Sequence, residues 1–382
     1  VLGESPRPKR RPSYQYADIL NMTTQHTFQQ EIIHDFWLRL DNAAKIYPVL
    51  LSKKFTAVFR MSAILKQRVQ INSLLKALRI VEKRFPYYKM QLKKGFFWYY
   101  LEHNNIPVSV RPDDGTMCSR FEKKKDHGLL LRVLVHPKTI HIEFSHILTD
   151  GAGALEFFKS LLITYFAETG VEIPEGLNYV HPGKTATAEE VEDAYHRYFK
   201  RKLPPNSHLP KAFHLPFSLN KSEAFQPLTI SLKMDEIKAQ AKSYPVSVTV
   251  YLIAVYLCAL QELYKAMPPR QQRKNNKLLR IQVPINLRNI LPSRSMRNFT
   301  LFVLPEIDLR LGYYSFAEII KKVHHYMELE KDEKMISRTI SRNVGIEKNK
   351  IISSIPLEIK RPILQSKYYS LGANLYSGEL TN

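Results

Sequence analysis

The stretch His146-Ile147-Leu148-Thr149-Asp150-Gly151 lies between two segments of different periodicity, and that junction constrains the fold more than any other part of the chain. Before it, Ile140-His141-Ile142-Glu143-Phe144-Ser145 alternates as a half-buried strand does. After it, Ala154 to Phe166 reads as an amphipathic helix with Leu155, Phe158, Leu162 and Phe166 on one face. Eight residues, 146 to 153, must therefore turn a strand into a helix. Gly151 would allow a tight turn there and keep the space above it open to a substrate. The same turn carries an imidazole and, four residues on, a carboxylate. Imidazole titrates near neutrality, so His146 can take a proton from a hydroxyl, an amine or a thiol. Asp150 can fix the loop or the ring rather than react. With 13 His in the chain, an H-x-x-x-D arises readily by chance. The added Gly and the strand–turn–helix context make this one a candidate catalytic site.

Length and composition set the frame around that turn. A chain of 382 residues is long for one ordinary core and suits two domains of roughly 150 to 200 residues. Hydrophobic content of 44% and charged content of 24% are those of a globular protein. Cys118 and Cys258 do not make a disulfide framework, which fits a reducing, cytoplasmic compartment. The longest uncharged run, Ser243 to Gln261, includes Ser, Thr, Tyr and Pro245 and falls short of the ~20 apolar residues of a membrane span. No signal-peptide core follows the basic residues of the N-terminus.

The formal charge of +22 attracts anions: nucleic acid, anionic lipid or a phosphorylated cofactor. Part of it is local, in the Pro-rich tail Arg7-Pro8-Lys9-Arg10-Arg11-Pro12, which reads as a solvated end. The rest lies in Lys/Arg-rich faces at Lys123–Lys125, Arg270–Lys277 and Lys348–Lys350. No RNA-recognition, helix-turn-helix or zinc-finger pattern converts this charge into base readout, so nucleic acid is disfavoured as a partner. Peripheral contact with an anionic membrane stays open.

Along the chain, Phe55–Leu65 reads as a strand and Gln70–Phe85 as a helix ended by Pro86. Phe96–Leu101 reads as a buried aromatic strand, and Leu129–His136 and Thr139–Ser145 as two more. Proline and glycine punctuate the stretch from 168 to about 225, which carries one polar helix near Ala188–Lys200 and reads as a crossover between halves. Beyond it come a strand at Pro227–Lys233, helices at Met234–Lys242 and Ser247–Tyr264, strands at Lys277–Asn286 and Thr300–Arg310, and a helix at Ser315–Lys331. Strands and helices mix without strict βαβ alternation, which argues α+β.

Other chemistries find no support. Glycine is scarce, 13 in the chain, and no Walker or G-x-G-x-x-G loop is present. His141, His146 and the His324-His325 pair do not form a convincing metal site. No G-x-S-x-G elbow occurs. Arg288 ends an apolar strand, where charged residues are usually exposed. Asn298 precedes a strand, where a turn residue or a polar contact would both fit.

The H-x-x-x-D-G spacing resembles the active-site motif of the CoA-dependent acyltransferase superfamily. That group includes chloramphenicol acetyltransferase, nonribosomal peptide condensation domains, plant acyltransferases and wax ester synthases. Trp37-Leu38-Arg39-Leu40-Asp41-Asn42-Ala43-Ala44-Lys45-Ile46-Tyr47-Pro48 resembles the opening segment of its alcohol acetyltransferase-like members. Val283-Pro284-Ile285-Asn286-Leu287-Arg288, then Arg297-Asn298-Phe299, resembles their second block. The resemblance runs in register over about residues 35 to 382. It departs at Ser145, where many members carry a first His; the second His is the one implied to be catalytic.

The resemblance implies two chloramphenicol acetyltransferase-like α/β sandwich halves with a tunnel at their interface. It places a basic tail and lead-in at 1–30, the half carrying the motif at 31–175, a crossover at 176–225 and a second half at 226–382. It implies acyl transfer, an acetyl group by default, from acyl-CoA to a small alcohol acceptor, with His146 as general base. An amine acceptor or an acyl carrier protein as donor is the alternative, and a non-catalytic binding relative is another. No bound cofactor or metal is implied, and a monomer is the default. Asp150 would pair with Arg288 across the interface through a planar bidentate fork. Asn298 would be a polar contact at the tunnel. In the family further strands and a helix follow the point where this chain stops, so the second half is expected to be truncated, with Ala373–Leu380 as a strand left without a partner.

Overall fold

The computed structural model of the chain describes residues 36 to 381, apart from 53–54, 202, 205–208 and 218–227. The basic tail expected at 1–30 lies outside the described residues. The first half holds two sheets. The smaller has the order β1-β4-β3, from β1 (Trp37–Arg39), β3 (Met90–Lys94) and β4 (Tyr99–His103). The larger has the order β2-β7-β6-β5, from β2 (Val58–Ile64), β5 (Val110–Pro112), β6 (Leu131–His136) and β7 (Thr139–Ser145). In it β2, β7 and β6 are antiparallel, and β5 joins β6 in parallel.

Two helices, Ile71–Arg84 and Gly151–Glu168, pack against each other beside this sheet. The first buries Leu74, Ala77, Leu78 and Val81, an i, i+3, i+4, i+7 face. It stops at Phe85 because Pro86 cannot supply the next amide. Leu74, Leu78, Ile140, Ile142, Phe144 and Phe157 share one core, each at most 1% exposed, where Leu→Ala changes typically cost ~2–5 kcal/mol.

The second helix differs from its sequence reading. It starts at Gly151 because Asp150 caps it, its Oδ1 accepting the Gly153 N–H at 3.1 Å. Its buried face is Ala154, Phe157, Phe158, Leu161 and Tyr165, while Leu155 is 46% exposed. The helix is apolar nearly all round, so periodicity alone offered two faces. Packing of Phe157 against Phe144 and Phe85 selects the one observed.

In the second half β8 (Leu278–Asn286) is central. It pairs antiparallel with β9 (Thr300–Val303) and β10 (Glu306–Asp308) and parallel with β11 (Gly378–Glu379). Ala373–Leu380 is therefore not an unpartnered strand; its last part is bonded to the sheet centre. Pro305 separates β9 from β10, so the single strand expected at Thr300–Arg310 is two. Helices Val248–Ala266 and Phe316–Glu330 cover β8, burying Ile253, Leu257, Ile319 and Val323 against Leu279 and Ile281. Val248–Ala266 is long and apolar enough by composition to cross a membrane, but its Ile253–Leu257–Leu260 face is part of this core. Ser315 and Glu318 form a capping box at the start of Phe316–Glu330.

Three further expectations are corrected. Phe96 and Phe97 are 71% and 45% exposed at a hairpin tip, because the strand begins only at Tyr99. The single helix near Ala188–Lys200 is two turns, Ala188–Val191 and Ala194–Arg197. Leu228 to Lys233 carry no strand hydrogen bonds and are exposed. Their alternation matches strand geometry, but no neighbouring strand among the described residues pairs with them. Helices Glu333–Lys348, Lys350–Ser354 and Leu357–Leu371 follow, in a region the sequence pattern left unassigned. The first supplies Ile336, Ile340 and Val344 to a small core with Tyr195, Leu287 and Phe299 where the halves meet.

Candidate active site

His146 stands one residue beyond β7. Its N–H donates to the Ala57 carbonyl at 2.8 Å, and its own carbonyl accepts from Asn298 Nδ2 at 2.9 Å. The backbone of the turn is thus held from both halves. The ring is held by aromatic neighbours: Phe59 with its centroid at 4.4 Å and Tyr47 stacked at 5.4 Å. Nδ1 is buried and makes no hydrogen bond. Burial pushes the imidazole pKa below its ordinary value, with the Asp150 charge and the Thr149 backbone acting the other way. A neutral ring at working pH is the consequence.

Both carboxylate oxygens of Asp150 are engaged in structural hydrogen bonds. Its Oδ1 holds the helix cap, and its Oδ2 accepts from Arg288 Nη1 at 2.8 Å, Phe299 N at 2.7 Å and Thr300 Oγ1 at 3.0 Å. The expected pairing with Arg288 is present, but it is not a bidentate fork. Arg288 gives one nitrogen to Asp150, and its Nε and Nη2 donate to the Ser295 and Arg297 carbonyls at 2.9 and 2.5 Å. The guanidinium spans a carboxylate and a loop, so it folds 286–298 against the motif. Asn298 also bridges the halves, through Nδ2 to Asp41 Oδ2 at 3.0 Å and to the His146 carbonyl.

Gly151 is the first helical residue; a Cβ there would meet only Met61 Cε at 3.9 Å. The glycine demanded by close approach is Gly153. A Cβ on it would lie 2.3 Å from Thr149 Oγ1, 2.4 Å from the Met296 carbonyl and 2.7 Å from Tyr88 Oη. Thr149 Oγ1 and Tyr88 Oη both donate to that carbonyl, each at 2.7 Å. The helix start, the turn and the second-half loop meet at this point.

Sequence reasoning assigned no role to Asp41, Tyr47, Phe59, Gly153 or Arg297. Asp41 is fully buried and accepts from Ala44 N at 2.8 Å as well as from Asn298. Burial raises its pKa to about 6 against the pull of Arg297, whose Nε is 3.7 Å away. Arg297 also donates to the carbonyls of Arg39 and Val191. The segment from Trp37 to Pro48 held the signal for Asp41, but only a fold could show what it faced.

A second cluster was also missed. Asp193, His196 and Glu347 bring ligand-type atoms within 4.8 Å of one another. Their partners are already in place: Lys45 on Glu347, Asn42 Nδ2 on Glu347 at 2.9 Å, and the backbone N–H groups of Asn42 and Tyr195 on Asp193. It reads as an ion-pair network joining the opening segment, the crossover and helix Glu333–Lys348. Burial works against the ionised Glu347, but His196, Lys45 and Asn42 outweigh it and hold its pKa at about 2. His141 lies apart from His146, with its Nδ1 2.7 Å from Ser62 Oγ and its Nε2 3.4 Å from Asp113.

No family model and no curated protein matches this sequence. Solved structures do. The trichothecene acetyltransferase TRI101 of F. sporotrichioides, complexed with coenzyme A and T-2, aligns at 11% identity and a TM-score of 0.56, over 91% of this chain and 83% of that one. TRI101 of F. graminearum, complexed with coenzyme A and deoxynivalenol, aligns at 12% and 0.56, over 91% and 84%. The epimerization domain of the third module of tyrocidine synthetase B aligns at 11% and 0.53, over 81% and 75%. The chain has the two-lobed fold of the CoA-dependent acyltransferase and condensation-domain group.

Breaking the Asp150–Arg288 pair strands a buried charge. Asp150→Asn is expected to cost ~3–5 kcal/mol in urea unfolding. Combining it with Arg288→Met should cost clearly less than the sum of the two single losses. Asp41 supports a pH experiment. Its folded pKa lies above the usual carboxylate value, so the stability it contributes is fully present below about pH 4 and lost as pH rises through about 6. Unfolding of wild type and Asp41→Asn at pH 4.5 and 7.5 should show wild type gaining on the variant at the lower pH, by an amount on the order of 2–3 kcal/mol.

Proposed function

We propose that this protein is an acyltransferase that moves an acyl group, acetyl by default, from a CoA thioester to an alcohol, with His146 as general base. The observation that carries the reading is the state of the motif. An imidazole kept neutral by burial sits on a turn whose carboxylate is spent on holding the loop. That leaves His146 to do the chemistry and Asp150 to position it. The fold shared with coenzyme A-bound acetyltransferases supplies the donor class.

In this mechanism the acceptor hydroxyl approaches Nε2, since Nδ1 is buried. His146 takes the proton as the oxygen attacks the thioester carbonyl. The tetrahedral oxyanion collapses, the C–S bond breaks, and the imidazolium returns the proton to the leaving thiolate. Phe59 and Tyr47 fix the ring faces, and Asn298 fixes the backbone beneath them. Arg288 holds Asp150, and so the start of the helix, without touching the reacting atoms. The thioester brings its own activation, so these steps use only protein side chains and two substrates.

A second reading keeps the site and changes the donor. The formal charge of +22 would suit an acidic acyl carrier protein, with an amine or hydroxyl acceptor. Turnover of acetyl-CoA against acyl-carrier thioesters, across alcohols and amines, separates the two.

His146→Ala is expected to lower kcat by about 10²–10⁴-fold and to lower thermal stability only modestly, since the chain still folds but loses the ring packed between Phe59 and Tyr47. Full activity in a folded His146→Ala protein would remove the base assignment. Because burial lowers the His146 pKa, the acid limb of kcat/KM should fall with a midpoint below 6.5 and the rate should be flat through neutrality. A midpoint above 7 would contradict a neutral ring.

A further inference from the structure

Behind the reactive turn lies a cavity of about 220 Å³. It opens between β3, the segment 120–130 and the segment around Leu51 and Thr56. Its apolar wall includes Leu51, Leu92, Phe121, Leu129 and Ile147, and Thr56, Gln91 and Ser145 add polar atoms. Ser145 and Ile147 are the residues on either side of His146. The cavity thus reaches the backbone of the catalytic turn, and Phe59 and Tyr47, which hold the His146 ring, are not among its lining residues.

Its rim is cationic. Lys93, Arg120, Glu122 and Lys123 stand there. Lys93 is paired with Glu102 at 3.1 Å, and Glu122 with Lys125 at 3.4 Å. Arg120 and Lys123 have no acidic partner among the described residues, so the rim holds two uncompensated positive charges above an apolar wall. The volume equals about seven waters at ~30 Å³ each. That is below the ~300–1,000 Å³ of sites for drug-sized ligands. A short ligand, apolar at one end and anionic at the other, matches this lining.

We propose that this cavity binds a short-chain carboxylate, its chain against Leu92 and Leu129 and its carboxylate at Arg120 and Lys123. The site lies outside the acyl-transfer machinery, and its binding does not depend on that reading. Its meaning does: a free short-chain acid is the hydrolysis product of an acyl thioester. Bound there, it would touch Ser145, whose Oγ accepts the Ile147 N–H at 3.3 Å, and so restrain the turn that carries His146.

Titration calorimetry of the full chain with hexanoate tests this. Hexanoate should bind, while hexylamine and inorganic phosphate should each bind at least about tenfold more weakly, because one carries the opposite charge and the other lacks the chain. Arg120→Glu with Lys123→Glu, both on exposed side chains, should weaken hexanoate by at least about tenfold. Leu92→Trp should fill the cavity and abolish binding. His146→Ala should bind as wild type does, whatever becomes of turnover. No binding of hexanoate, equal binding of hexylamine, or unchanged affinity in the rim double variant would each overturn the proposal. So would loss of binding in His146→Ala, which would move the ligand to the reactive face.

Discussion

One carboxylate organises the junction of the two halves. Asp150 accepts a helix-cap amide from its own half and three donors from the other: a guanidinium, a backbone amide and a hydroxyl. It is 5% exposed, so every donor must be in place for its charge to be tolerated there. The helix Gly151–Glu168, the loop 286–298 and the start of β9 are therefore mutually fixed. His146 inherits that rigidity, because its carbonyl is tied to Asn298 on the same loop.

Much of this was legible in the chain, and the reasons differ by element. The junction around His146 could be read because a change of period from two to 3.6 is a local signal. The helix Ile71–Arg84 could be read because its apolar face is interrupted by lysines and arginines. The helix after the motif misled because it is apolar on several faces, and only contact with Phe144 and Phe85 decides between them. Leu228–Lys233 misled for the opposite reason: alternation describes what a strand could bury, not whether a partner is there. The long terminal helices carry mixed polar faces and Pro362, and they escaped the pattern reading altogether.

The site divides in the same way. His146, Asp150, Arg288 and Asn298 were named from short motifs, and the structure brings them to one place. What could not be read was the company they keep. Asp41 and Asn298 are 257 positions apart, and His196 and Glu347 are 151 apart. No local spacing connects such pairs. The choice of Gly153 over Gly151 as the sterically required glycine is likewise invisible in sequence, since the crowding atoms come from Thr149, Tyr88 and the Met296 carbonyl.

β8 runs through three pairings, and the 3-10 turn Leu287–Asn289 that follows it delivers Arg288. Any change that slides or tilts this strand is felt at Asp150 through Arg288, and through Asn298 at the His146 carbonyl. A lineage carrying this architecture can shift the backbone that carries His146 by substitutions in the far sheet, leaving the residues that line its ring untouched. Comparisons restricted to the first half would miss that route.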